Sequence, residues 1–110
     1  MESIKKDNCL ILKDERNDPQ DFAAFIDNLL IKFEDQNLII DIQKYGKLTL
    51  EELLSFLEPS IKHYKKGKSF IILNDTIVID DVPEELRVVP TLQEAEDMIQ
   101  MEEIERDLGF

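Results

Sequence analysis

Leu38-Ile-Ile-Asp-Ile-Gln-Lys-Tyr-Gly-Lys-Leu-Thr-Leu-Glu-Glu-Leu-Leu-Ser-Phe-Leu57 decides the fold. Leu38, Ile39, Ile40 and Ile42 form an apolar run broken only by Asp41. A run that is apolar on both faces suits a strand covered on both sides, as in a parallel α/β sheet. Asp41 falls near the carboxyl end of that strand, the edge where open α/β sheets place ligand crevices. Gln43 to Lys47 turns the chain. Thr49 and Glu52 then fit a capping box, in which each side chain bonds the other's backbone N–H and opens a helix.

The same grammar extends in both directions. Asn8–Lys13 reads as a strand around Cys9, Leu10, Ile11 and Leu12. Asp18 and Pro19 suit the N-cap and first position of a helix over 19–34. Its stripe is Phe22, Phe25, Ile26, Leu29, Leu30 and Phe33, spaced at helical period. The next helix is expected over 49–66, with Leu50, Leu53, Leu54, Leu57, Ile61 and Tyr64 inward and a kink at Pro59. His63 sits among Lys62, Lys65 and Lys66 at its end, a set that complements the helix dipole, and Gly67 is the stop signal. Ser69–Asn74 is a third strand and Leu86–Val89 a fourth, with Thr76–Ile79 open between a short strand and a loop. Thr91 and Glu94 form a second capping box that opens the last helix, over 91–107. The order β-α-β-α-β-loop-β-α predicts a four-stranded, mostly parallel sheet packed with three main helices, as one domain over 1–110. Phe25, Leu29, Ile40, Leu54, Leu57, Ile71 and Leu73 are expected in its core.

Composition narrows the function classes. The net charge of −12 repels phosphate backbones and anionic headgroups, so neither nucleic acid nor a membrane is an expected partner. No apolar window is long enough to span a bilayer, and no signal-peptide pattern opens the chain, which reads as cytoplasmic. Cys9 is the lone cysteine and reads as a small buried hydrophobe. The acidic residues at three strand ends, Asp14 with Glu15, Asp41 and Asp75, could converge on a magnesium ion for phosphoryl chemistry. The simpler reading is that charged residues follow buried strands into loops, so no cofactor is expected. Asp80, Asp81, Glu84 and Glu85 lack the glycine and spacing of a calcium loop.

The last helix carries two stripes. Leu92, Ala95, Met98 and Ile99 are expected against the sheet. Met101, Ile104 and Leu108 form an apolar strip on another face, among Glu102, Glu103, Glu105 and Asp107. One sheet cannot bury both stripes, so 101–110 is expected to project and to meet a protein partner with a basic rim, or a second copy of the chain.

In their order, Leu-Ile-Ile-Asp-Ile-Gln (38–43), Lys-Tyr-Gly-Lys-Leu-Thr (44–49), Leu-Glu-Glu-Leu-Leu-Ser-Phe-Leu (50–57), Ser-Phe-Ile-Ile-Leu (69–73) and Val-Val-Pro-Thr-Leu-Gln-Glu-Ala-Glu-Asp-Met-Ile (88–99) resemble the STAS fold. That is the domain of sulfate transporters and anti-sigma factor antagonists. The resemblance implies a non-enzymatic protein-interaction module of a regulatory system. Regulated members carry a phosphorylatable serine where the helix after the Asp-ending strand begins. Here the only hydroxyl at that place is Thr49, the position the resemblance marks as a phospho-switch; Glu51 and Glu52 oppose an added charge. The initial hairpin of the pattern reads as shortened to one strand.

The chain is also similar to short acidic chains that carry the label ribonuclease Z. A zinc nuclease of that name needs a His-x-His-x-Asp-His cluster, and this chain has one histidine. The label is therefore compatible at most with an accessory to such an enzyme; a separate alternative is an accessory that stabilises another protein through the acidic last helix.

Overall fold

The computed structural model describes residues 1–77 and 82–109. One five-stranded sheet has the strand order β1-β2-β3-β4-β5. The strands are β1 (Glu2–Lys5), β2 (Leu10–Lys13), β3 (Leu38–Asp41), β4 (Phe70–Leu73) and β5 (Arg87–Val89). Strands β2 to β5 are mutually parallel, with Leu10 opposite Leu38, Leu38 opposite Phe70 and Ile71 opposite Arg87. The helices are α1 (Pro19–Leu29), α2 (Leu50–Leu54), α3 (Leu57–Lys65) and α4 (Leu92–Asp107).

The α/β class and the mostly parallel sheet are as expected; the strand count is not. Strand β1 pairs antiparallel with β2, Ile4 opposite Ile11, so the initial hairpin is complete rather than shortened. All four residues of β1 are exposed. An edge strand in water on both faces needs no apolar alternation, and its charges discourage further pairing. Asp7 and Asn8 at the turn were its available signal.

Because β2 to β5 lie in sequential order, right-handed crossovers all fall on one face. Leu10, Leu12, Leu38, Ile40, Ile42, Phe70 and Ile72 line that face, under Phe22, Ile26, Leu53 and Phe56. Ile77 and Val82, from the connection between β4 and β5, pack on the same side. Thr76 and Ile77 are not in a strand; the rest of the Thr76–Ile79 segment, with Asp80 and Asp81, lies outside the described residues. The opposite face, with Ile11, Ile39, Ile71, Leu73 and Val89, is covered by α4 through Ala95 and Ile99.

Two helical expectations are corrected. The 19–34 helix tightens into a 3-10 turn over Leu30–Phe33. The 49–66 helix is two helices, separated at Ser55 and Phe56. Pro59 has no N–H to bond the carbonyl of Ser55, so it cannot continue a helix from α2, but it is tolerated in the first turn of α3. The break rotates the inward face to Phe56, Pro59, Ser60 and His63, all buried. Leu54 is consequently 36% exposed, and Phe25 is 49% exposed on α1. Leu29 and Leu57 are half-buried, whereas Ile40, Ile71 and Leu73 are buried as expected.

Candidate functional site

The acidic strand ends come first. Asp14 and Asp41 line one hollow with Glu2, Lys13, Glu15, Gln43 and Lys44; Asp75 is not among its walls. Burial works against the charge on Asp14. Hydrogen bonds from Tyr45 Oη and the Arg16 N–H, with the Lys44 ammonium nearby, outweigh it and hold the carboxyl below its ordinary value. Tyr45 is pushed well above the ordinary phenol range by burial and by the hydrogen bond and charge of Asp14. Asp41 caps the Gln43 N–H at 3.1 Å and lies 3.6 Å from Lys13 Nζ. Among the described residues, no three ligating side chains gather around one point.

Thr49 is exposed and completes its capping box: its hydroxyl accepts from the Glu52 N–H at 3.1 Å, and its own N–H donates to Glu52 Oε1 at 2.9 Å. The loop before it is tied to the sheet by Asn74, whose Nδ2 donates to the carbonyls of Ile42 and Gly46 at 3.2 and 3.0 Å. His63, in the basic last turn of α3 as expected, is itself 1% exposed, its Nε2 2.6 Å from the Gln36 carbonyl and its ring edge-on to Phe70. Burial lowers its pKa despite that hydrogen bond, and Lys68 and Arg106 add to the effect. Cys9 is buried, and desolvation, with Glu96, pushes its thiol up. An inert thiol is what such a site produces.

At the amino ends of the strands the structure builds a network the sequence did not advertise. Asn37, just before β3, accepts the Ser69 N–H at 2.9 Å and donates to the Asn8 carbonyl at 3.0 Å. Ser69 Oγ donates to Glu102 Oε1 at 2.5 Å, and Arg106 Nη2 donates to Ser69 Oγ at 3.2 Å. Arg87 is ion-paired with Glu102 and stacks on Tyr64, its guanidinium 3.9 Å from the ring centre. Glu103 accepts from Asn8 Nδ2 at 2.7 Å and from Asn37 Nδ2 at 3.2 Å. The inward face of α4 therefore runs Ala95, Ile99, Glu102 and Arg106 at spacings of four, three and four residues. It changes from apolar to polar halfway along.

That change explains the second stripe. With Glu102 and Arg106 turned inward, Met101, Ile104 and Leu108 point outward and are 53%, 59% and 65% exposed. The expected projection of 101–110 is confined to this outer side, because the inner side is tied to the sheet's edge as far as Arg106. Met101 also belongs to a groove of about 630 Å³ between α4 and β5. Val82, Pro83, Leu86, Val88, Val89, Pro90, Met98 and Met101 give it apolar walls, and Glu84, Glu94 and Asp97 stand in its lining. Sequence periodicity had no means of placing the 82–90 segment beside α4.

No protein-family model matches the chain, and no curated protein is detectably similar to it. No helix among the described residues is long and apolar enough to cross a membrane.

Proposed function

We propose that this chain is a non-enzymatic, STAS-like interaction module of a cytoplasmic regulatory system, and that it meets its protein partner through the outer side of α4. The observation that carries the reading is the strip Met101, Ile104 and Leu108, exposed on a helix whose inner face is held in place by Glu102, Glu103 and Arg106. A frayed helix end would carry no such anchors. Methionine adapts its shape to the surface it meets, and the surrounding Glu105 and Asp107 favour a partner with a basic rim. The element order and the complete initial hairpin support the STAS-like part of the reading. Its non-enzymatic part is supported by the strand-end carboxylates, since Asp14 and Asp41 are engaged by Tyr45, Arg16 and Gln43.

The test compares the parent with an Ile104→Asp/Leu108→Asp double variant. Proteins captured by each are identified, and the strongest candidate is purified and titrated against both. A partner that binds the parent and loses about tenfold or more in affinity for the variant, at unchanged melting temperature, supports the reading. Equal binding by both chains ends it.

A further inference from the structure

The groove between α4 and β5 contains more chemistry than an apolar strip. Among the described residues, β5 has a neighbour on one side only, β4. The Asn74 N–H donates to the Val89 carbonyl at 3.0 Å, so Val89 points its backbone toward β4. Alternation along a strand then turns the N–H and C=O of Val88 toward the open side. Val88 is in the lining of the groove, with α4 on one flank and Val82, Pro83 and Glu84 on the other. The floor of this groove is a strand edge.

Charge selects what can lie there. Glu84, Glu94 and Asp97 stand in the lining. The cation among these walls, Arg87, is ion-paired with Glu102 and stacked on Tyr64, so it does not offset them. The whole chain adds a net charge of −12 to the local field. An acidic segment would be repelled, and a purely apolar one would leave the three carboxylates unanswered.

The geometry points to a short basic segment of a partner protein that adds to β5 as an extra strand, with lysine or arginine on its face toward α4, reaching Glu94 and Asp97 across Met98 and Met101, and apolar side chains on its other face, toward Val82 and Pro83. This inference rests on the protein-interaction reading and names the chemistry of the partner. Strand addition obtains affinity from backbone hydrogen bonds and specificity from alternate side chains. Its length is bounded. Three residues of β5 span about 10 Å at ~3.3 Å each. The turn closed by the Leu86 N–H on the Pro83 carbonyl ends it on one side, and Pro90 ends it on the other. The edge therefore takes one short segment and does not propagate a sheet.

The probe is a synthetic peptide of alternating lysine and valine, seven residues long, titrated into the intact isotope-labelled chain and followed by NMR. Controls are the same peptide with glutamate for lysine, and two peptides N-methylated on alternate residues in the two possible frames. The expected result is saturable binding with shifts centred on Val88, Val89, Met98 and Met101. Binding should weaken with salt, be absent for the glutamate peptide and be lost on N-methylation in one frame only. Glu94→Lys/Asp97→Lys should weaken binding about tenfold or more, mainly through slower association. Loss in neither or both methylated frames, equal binding of the glutamate peptide, shifts centred on Phe25 and Leu54, or no saturable binding each overturn the inference. So does concentration-dependent dimerisation that perturbs Val88 without peptide, since a second copy is then the occupant. Ile104→Asp/Leu108→Asp leaves the groove floor intact, so peptide failure beside retained partner binding through the strip refutes this inference alone.

Discussion

Glu102→Gln should destabilise the fold by about 2–3 kcal/mol, and the structure indicates where the loss arises. Glu102 is 6% exposed, accepts from Ser69 Oγ at 2.5 Å and pairs with Arg87. The amide keeps the volume and one acceptor, and Ser69 can reorient its hydroxyl toward it. The Arg87 guanidinium, however, loses its counter-charge. Breaking a buried pair costs about 3–5 kcal/mol. The Arg87 side chain is 21% exposed and keeps the face of Tyr64, which brings the loss to the bottom of that range or just below it, about 2–3 kcal/mol. At about 4 °C per kcal/mol for a chain of this size, the melting temperature should fall by about 8–12 °C. Urea unfolding followed by circular dichroism measures the loss, and hydrogen exchange locates it: amides of residues 103–108 should exchange faster than those of β3 and β4. The Arg87→Met/Glu102→Leu double variant should cost at least about 1 kcal/mol less than the sum of Arg87→Met and Glu102→Leu, because no charge is left stranded. A Glu102→Gln variant within about 0.5 kcal/mol of the parent would show that the network does not hold α4 in place.

Leu53→Ala should cost about 2–5 kcal/mol and Leu54→Ala clearly less, because Leu53 is 3% exposed and Leu54 is 36% exposed; equal losses in urea titrations would restore the unbroken helix. Gly46 has φ +62 and open space where a Cβ would stand, so Gly46→Ala should cost about 1–3 kcal/mol from backbone conformation alone, and an unchanged melting temperature would contradict that backbone. His63 is buried with its pKa lowered, so as pH falls below about 6.5 the unfolded chain takes up a proton that the folded chain refuses. Stability should therefore be level in this respect above that pH and decline below it until the folded value is reached. His63→Leu should flatten the decline between pH 7.5 and 5.5, and an identical slope in both chains would remove His63 as its source.

Signals that depend on close neighbours were legible in the residues. Strands β3 and β4 are apolar on both faces because helices cover both, and Thr49 and Thr91 bond the N–H groups three residues on. Asp18 and Pro19 mark the start of α1. Longer-range consequences were not legible. Pro59 was read as a kink inside a continuing stripe, yet the break moves the inward face from Leu54 to Phe56. Strand β1 contributes hydrogen bonds and almost no burial, so an apolar pattern could not disclose it. Asn37, Ser69 and Glu102 are ordinary polar residues in sequence; only the parallel sheet brings the residues before β3 and β4 to the same end as the second half of α4. One clue was present: Glu102 follows Ala95 and Ile99 in helical register, on the face expected to be apolar.

That replacement of apolar by polar contacts on the inner face has a consequence for the outer face of α4. Its first half is seated by Ala95 and Ile99, and its second half by hydrogen bonds and charge from Glu102, Glu103 and Arg106. Hydrogen bonds fix the helix's rotation more strictly than an apolar stripe does, since a small turn breaks them while apolar contacts slide. The direction in which Met101, Ile104 and Leu108 point is thus set by groups on the opposite side of the helix. None of the three is needed to seat α4, and in an isolated chain each leaves apolar surface in water at about 25 cal/mol per Å². Polar residues at these positions would remove that cost without disturbing the anchors. The strip and its anchors are therefore separable by mutation, which is why variants at Ile104 and Leu108 can report on binding while variants at Glu102 report on the fold.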